Sequence, residues 1–539
     1  MRQPSGSTKR LAALSALALA LVACPSHGGR EPGSGPGGKP VAGGSVTVAY
    51  PYEPSTLNPF VPGGDSPATR DLVRPLLPAL YRLGPRGSRV PWLLASDPAA
   101  RDIGGTPWGV RLHLRADAVW SDGAPITASD LRFTWKAVTT SVGVATRDPY
   151  DRLADVVVES PHVARLVFGK PFARWRDLFS AGLGVLPAHA IHGDVSSALR
   201  RSWPVSGGPY VLKSWTKGLS MVFERNPHAW GARPLLDKIT IDFVPDPVTA
   251  LQLYGRGAVD VIGPYAAVDL ARRAKAARDG TVVSTDRGAT WVGLFLNTAA
   301  SALSDARVRQ AIARSLDRAS ITEALVGASG AALEAPGGAL PTRTSPVFER
   351  YAFAPSRASS LLSAAGWRTV KGARARRRKG AELSITVASV NNDELIQRVA
   401  RTLNGDAYEV GVDLNLVGVD APDLWGSWLE SSRYQAAILV ERDPPGGDVR
   451  GRYSLAGPHD LARLNDPRLR SQVNAADATL NDAAPAVTAP LARAAALVPV
   501  IPLFTLDVLI AGRQGINGIN ASASADGFLW DCDTWWVAH

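Results

Sequence analysis

The chain has 539 residues, with 59 Lys+Arg against 48 Asp+Glu and a formal charge of +11. Hydrophobic residues at 45% and charged residues at 20% exclude a disordered tail protein, and two cysteines, Cys24 and Cys532, are too few for a disulfide framework or a cysteine-built zinc site. The single long apolar run lies near the N-terminus, which excludes a polytopic membrane protein, and the length suits about three to four domains or one large discontinuous body.

In chain order, Arg2, Lys9 and Arg10 precede the apolar run Leu11–Ala23, which is too short to span ~30 Å of hydrocarbon and reads as a secretory signal peptide. Leu21-Val22-Ala23-Cys24 resembles a bacterial lipobox, in which the Cys24 thiol accepts a diacylglyceryl group. The alternative is an ordinary signal peptide with a chance cysteine. Pro25–Gly44 holds eight Gly and four Pro in 20 residues without apolar periodicity. It is expected to be a flexible tether with an end-to-end distance of roughly 25 Å. The expectation is an extracytoplasmic body anchored to the cell membrane as a lipoprotein.

Ser45–Tyr50 alternates, with Val46, Val48 and Tyr50 on one side, and predicts a strand. Val110–Arg115 alternates likewise and ends in the Asp122-Gly123 turn. Thr127-Ala128-Ser129-Asp130 has the form of a capping box before Leu131, Phe133, Trp135 and Val138 and predicts a helix start. Strands are predicted at Ala164–Phe168, Leu219–Glu224 and Lys238–Val244. A helix is predicted after Ser304, with Val308, Ala311, Ile312 and Leu316 on one stripe. A second runs from Arg357 to Ala365 and stops at Gly366. Leu383–Val387, Val412–Val417 and Ala436–Val440 read as strands with helices between them. Mixed strands and helices over this length predict an α/β fold, and no repeat of 20–50 residues occurs.

Lys371, Arg374, Arg376, Arg377, Arg378 and Lys379 lie together without an acid and account for more than half of the formal excess. They are expected to form a solvated loop before the strand at Leu383, with contact to anionic lipid headgroups as the minority reading. The rest of the body is near neutral, which argues against nucleic acid as a partner. His189 and His192 are three apart, but Leu186-Pro187-Ala188-His189 reads better as a turn into a helix than as half of a metal site. Cys532, among Trp530, Trp535 and Trp536, reads as a buried packing cysteine. No Gly-x-Ser-x-Gly elbow occurs. A secreted hydrolase is the alternative from another functional class, motivated by size and location alone.

Six ordered blocks carry a family resemblance: Tyr52–Phe60 with Leu57-Asn58-Pro59; Trp108–Ala137 with Trp120-Ser121-Asp122-Gly123-Ala124-Pro125; Gly208-Pro209-Tyr210 with Arg225-Asn226-Pro227 and Trp230; Leu296-Asn297-Thr298 with Ser304–Ala311; Ala365-Gly366-Trp367; and Ile501-Pro502-Leu503. Together they resemble the extracytoplasmic solute-binding proteins of family 5, the peptide/nickel class of ABC importers, and similar to dipeptide- and oligopeptide-binding proteins. The blocks have adequate local explanations as turns and helix starts, so they mark a scaffold rather than a ligand site.

The resemblance implies a two-lobed type II periplasmic-binding-protein fold, α/β in class, with an accessory subdomain, and no catalysis. By position, 45–74, 203–287 and 500–539 would form lobe I, 75–202 the accessory subdomain and 288–499 lobe II, with crossings near Gly288 and Val500. No cofactor or metal is implied. The expected partners are a peptide or another small solute and a permease with separate ATPase chains, since no Gly-x-x-x-x-Gly-Lys-Ser/Thr loop is found. A monomer is expected.

Mapped onto the family, the ligand site would draw on Tyr52, Glu53, Asp65, Trp291, Asn391, Asn392, Trp425, Glu441, Arg442 and Asp443. Peptide-binding members resemble Gly-Trp followed shortly by an Asp that takes the α-amino group. Here Val440–Asp448 lacks the Gly-Trp pair. Asp443 or Asp448 would carry that role; alternatively, Glu441 and Arg442 form a new charged pair for a non-peptide solute, or are strand-end surface charges. Peptide is the leading class. Sugars, opines, siderophore-like compounds and other amines are the alternatives.

Overall fold

The computed structural model describes residues 39–538 apart from 65, 84–87, 145–146, 181–182, 266–269, 287–289, 328–329, 331, 334–346, 430–433, 443–460, 480–484 and 523–525. Cys24, Asp65, Asp443 and Asp448 therefore lie outside the described residues. No helix among the described residues is long and apolar enough to cross a membrane.

Two large sheets organise the chain. The first has the order β12-β20-β11-β1-β10-β9-β8, from Val282–Asp286 (β12), Val508–Gly512 (β20), Val261–Ile262 (β11), Ser45–Tyr50 (β1), Lys238–Phe243 (β10), Ser220–Arg225 (β9) and Tyr210–Thr216 (β8). β1 runs parallel to β10 and β11, with Val48 opposite Ile241 and Val261. The second has the order β17-β16-β18-β13-β19, from Asp413–Val419 (β17), Ser384–Val390 (β16), Ala436–Arg442 (β18), Thr290–Leu296 (β13) and Val500–Thr505 (β19). β16 is parallel to both β17 and β18. A four-stranded accessory sheet, β4-β5-β7-β6, comprises Ile103–Gly104, Gly109–His113, Val163–Phe168 and Leu153–Ser160. Hairpins β2-β3 (Tyr81–Leu83, Arg89–Pro91), β14-β15 (Arg377–Arg378, Ala381–Glu382) and β21-β22 (Ile516–Asn517, Trp536–Val537) complete the strands described here.

The first sheet and the accessory sheet share one apolar core, in which Val48, Tyr50 and Ile241 join Leu112, Trp120 and Leu166. The second sheet has its own core, with Val292, Ile312, Val387 and Leu403. The chain thus divides into two lobes, each burying the alternating faces of its own sheet. The predicted capping box is formed: the Thr127 N–H donates to Asp130 Oδ2 at 2.7 Å and opens the helix Ala128–Thr140. The helix after Ser304 begins at Ala306 with Asp305 as its cap.

The expected crossing near Gly288 lies outside the described residues, but the strands flanking it are neighbours of those flanking the second crossing: β12 pairs with β20 in the first lobe, and β13 pairs with β19 in the second. This corrects the second crossing. Val500–Thr505 belongs to the second sheet, held there by antiparallel pairing with β13, so the chain crosses at Leu506–Asp507 rather than at Val500. The Leu506 N–H donates to the Thr290 carbonyl at 2.9 Å and ties the two crossings together.

The basic run is also corrected. Arg376 is buried and donates to the carbonyls of Val410 and Trp367, Arg377 pairs with Glu382 across the β14-β15 hairpin, and Arg378 lies over the Trp367 ring. The hairpin brings Glu382 back onto the run, and the fold supplies a more distant acid, Asp413, 3.8 Å from Arg374. His189 lies in a turn and His192 in the irregular segment after it, neither on a helix, and His189 Nε2 meets Asp122 Oδ2 at 2.8 Å.

The family blocks do structural work. Asn58 donates to the carbonyls of Val195 and Ala198, Asn226 to Gly208, Asn297 to Tyr434, and the buried Arg309 to Leu303, Ser304 and Leu497. Each satisfies buried or part-buried main-chain carbonyls.

Candidate functional site

The site lies at the carboxyl ends of parallel strands from both sheets, where open α/β sheets leave a crevice. The first lobe contributes the loop after β1 and the helix Pro67–Val73, capped by Ser66 Oγ accepting from the Thr69 N–H at 3.1 Å. The second contributes the segments after β16 and β17 and the end of β18. A cavity of about 70 Å³ is lined by Tyr52, Glu53, Ser55 and Ser66 from the first lobe and by Asp393, Ile396, Trp425, Val440 and Arg442 from the second.

Two side-chain contacts bridge the lobes there. The Tyr52 hydroxyl donates to Asp393 Oδ2 at 2.6 Å. Arg442 Nη1 donates to Asp71 Oδ1, and neither side chain is more than 10% exposed. Asp71, on the helix Pro67–Val73, also accepts from the Tyr50 hydroxyl at 2.6 Å and from the Phe528 N–H at 3.0 Å. The backbones meet as well. A Cβ on Gly63, whose φ is +75°, would lie 2.9 Å from Gly426 Cα, so the first-lobe loop seats this closely against the segment Leu424–Trp428 because residue 63 is glycine. The accessory region adds a contact outside the cleft, the Ala173 N–H to the Asp477 carbonyl at 2.8 Å.

Electrostatics follow from burial. Desolvation pushes the Asp393 carboxyl above the usual carboxylate range, although the Tyr52 hydroxyl and the Ile396 and Leu395 amides favour its charged form. Desolvation, with Asp393 as the next cause, pushes the Tyr52 hydroxyl well up. Both Asp393 oxygens are engaged, because Oδ1 caps the helix Glu394–Tyr408 through the Ile396 N–H at 3.0 Å. Glu53 Oε1 accepts from Trp215 Nε1 at 2.8 Å and from the Gly218 N–H at 2.9 Å, which fixes this carboxylate to the β8-β9 hairpin.

Of the residues mapped from sequence, Tyr52, Glu53, Trp425 and Arg442 come together on the cavity wall. Trp291 is fully buried and stacks on Phe295 with ring centroids 5.8 Å apart. Asn391 and Asn392 are exposed, and Asn391 Nδ2 donates to Asp420 at 2.7 Å. Glu441 stands opposite Trp291 in the β13–β18 register and is 4% exposed, so it is not a surface charge. Glu441 and Arg442 are successive residues of β18 and so point to opposite faces, and Arg442 takes Asp71. Sequence reasoning missed Asp71 and Asp393. An acid directly before an amphipathic helix signals a cap, and an acid among Leu72, Val73, Leu76 and Leu77 signals a buried partner.

Known proteins fit this geometry. The family model of the bacterial extracellular solute-binding proteins, family 5, matches residues 90–441. The nickel-binding periplasmic protein of Escherichia coli (strain K12) is 24% identical over 398 residues, covering 70% of this chain and 72% of that protein. The solved structure of the oligopeptide-binding protein AppA from Bacillus subtilis, in complex with a nonapeptide, superposes with a TM-score of 0.81 at 18% identity, covering 93% of this chain and 100% of that one. The periplasmic EDTA-binding protein EppA gives a TM-score of 0.80 at 21% identity, covering 93% and 98%. These relatives capture solutes and are not enzymes. By the length of the family match, and by two lobes meeting over a cleft, this chain belongs to the bacterial extracellular solute-binding proteins of family 5.

Proposed function

We propose that this chain is the lipid-anchored substrate-binding subunit of an ABC importer, capturing a peptide between its lobes and delivering it to a permease whose ATPase is a separate chain. The observation that carries the reading is the cavity walled by both lobes and crossed by Tyr52–Asp393 and Asp71–Arg442. A solute touching both walls favours the closed arrangement by its differential contact free energy, and that arrangement is the form a permease distinguishes. The division we assign is 45–74, 203–287 and 508–539 for lobe I, 75–202 for the accessory subdomain and 288–505 for lobe II. Relatives that bind nickel, a nonapeptide or EDTA span several ligand chemistries. Peptide is preferred because the aromatic Tyr52 and Trp425 offer side-chain area beside hydrogen-bonding groups.

Native mass spectrometry of protein purified without refolding tests the solute class. A retained peptide mass, returned intact after prolonged incubation, is the expected result; hydrolysed products or a non-peptide solute contradict it. Cys24→Ala is expected to release the chain from the membrane fraction, and retention that resists this change contradicts the anchor.

A further inference from the structure

The second lobe ends, away from the cleft, in a strongly basic surface. Residues 347–382 contain nine Lys+Arg and two Glu, an excess of seven against +11 for the whole chain. Arg350, Arg357, Arg368, Lys371, Arg374, Arg377 and Lys379 are all exposed. The fold gathers those of the hairpin segment. Arg368 Nη1 donates to the Ser363 carbonyl at 2.6 Å, and Arg378 Nη1 donates to the Ala365 carbonyl at 3.3 Å. Both bonds hold the hairpin segment on the C-terminal end of the helix Pro355–Ala364. Beneath it, buried Arg376 ties the segment to Val410, and Arg374 lies over the Tyr408 ring at 5.3 Å. Arg307, half-exposed on the adjoining helix Ala306–Ser315, donates to the Ala364 carbonyl at 2.9 Å.

The surface also carries apolar side chains that single-lobe packing leaves outside. Phe353 is 51% exposed, Tyr408 44% and Val370 41%; Tyr408 lies beneath the Arg374 guanidinium, Val370 precedes Lys371, and Phe353 lies between Arg350 and Arg357 in the chain. Arginine and lysine around protruding aromatic and aliphatic groups is the composition of surfaces that rest on anionic bilayers. The position adds a constraint. The hairpin joins β16 at Ser384, and Arg374 approaches Asp413, the first residue of β17. These are the amino ends of the strands whose carboxyl ends form the cleft.

We propose that this end of the second lobe is a docking surface for an anionic phospholipid membrane. A chain resting on it holds the cleft toward bulk solvent, in a loading orientation. The orientation rests on the solute-capture reading; the surface itself does not.

The test uses the full chain carrying Cys24→Ala, so that acylation does not contribute, with vesicles of phosphatidylcholine alone or with one-third phosphatidylglycerol. Lys371→Gln, Arg374→Gln and Lys379→Gln are combined in one variant. A second variant combines Lys217→Gln, Arg233→Gln and Lys238→Gln, exposed bases of the first lobe, and changes net charge equally. Thermal midpoints confirm that both are folded. The expected result is selective binding to the anionic vesicles, weakened about tenfold or more by the first variant and less than twofold by the second. Equal losses from both variants, or equal binding to neutral vesicles, overturn the proposal. Soluble polyphosphate that competes at equal phosphate concentration also overturns it, by showing a general anion site. Solute capture is measured in parallel. Its absence counts against the importer reading alone, and its persistence in a variant that has lost vesicle selectivity supports two independent sites.

Discussion

Two buried polar clusters in this molecule use the same chemistry and do different things. One lies inside the body that the first lobe and the accessory region form around their shared core. Arg74 Nε faces Asp526 at 3.3 Å, Arg82 pairs with Asp533 at 2.7 Å, and both guanidinium groups lie over Trp92, itself stacked on Trp230. Every partner belongs to one body, so the cluster fastens the C-terminal segment to the fold and has no reason to break. The other cluster, Tyr50, Asp71 and Arg442 with Tyr52 and Asp393, spans two bodies. Under the proposed capture mechanism its interlobe bonds would form as the cleft shuts and be exchanged for water as it opens. An ion pair is a fastener or a switch according to whether its members move together.

The change that most tests the join between the clusters is Gly527→Ala. Gly527 has φ +72°, and a Cβ there would stand 1.6 Å from Asp71 Oδ1 and 2.9 Å from Arg442 Nη1. Destabilisation of about 4 kcal/mol or more is expected in denaturant unfolding, because both the backbone and a buried ion pair must shift. Asp526→Ala strands the buried Arg74 and is expected to cost about 3–5 kcal/mol of global stability. It should leave the open–closed equilibrium unmoved, and a change in closure comparable to the loss of stability would erase the distinction between the two clusters.

Tyr52→Phe should do the reverse. It removes one interlobe hydrogen bond, expected to shift closure by about 1 kcal/mol with little effect on unfolding, read by an interlobe distance measurement beside a melting curve. The finest test is pH. Burial raises the Asp393 carboxyl, so the closed form binds protons more readily than a form in which Asp393 meets water. Closure is therefore favoured below the ordinary carboxylate range and weakens as pH rises through the raised value. Asp393→Asn keeps a helix cap and should flatten that dependence; an unchanged pH profile in this variant would place the titration elsewhere.

Much of the fold was legible in advance because its strands alternate and its helices announce their caps. Val46, Val48 and Tyr50 face one core as their spacing requires, and Thr127 and Asp130 make the bonds their spacing suggests. What stayed hidden was whatever depends on distant pairing. Nothing local in Val500–Thr505 reveals which sheet it joins, since an all-buried strand fits either. The same limit explains the site. Tyr52, Trp425 and Arg442 follow recognisable strands, but Asp71 gains its meaning only when Arg442, 371 residues away, arrives beside it. Asp393 was passed over for its neighbours because Asn391 and Asn392 look like ligand groups. They lie exposed in the turn before the helix, whereas its cap Asp393 is buried.

The most direct measurement is the spin–spin distance between labels at Lys217→Cys, on the β8-β9 hairpin, and Asp423→Cys, before the Leu424–Trp428 turn, in a chain lacking Cys24. Two populations are expected: a short one matching the structure, enriched when solute is bound and depleted by Asp71→Asn, and a longer one. A single distance, indifferent both to Asp71→Asn and to removal of co-purified solute, would contradict a protein that works by closing its lobes.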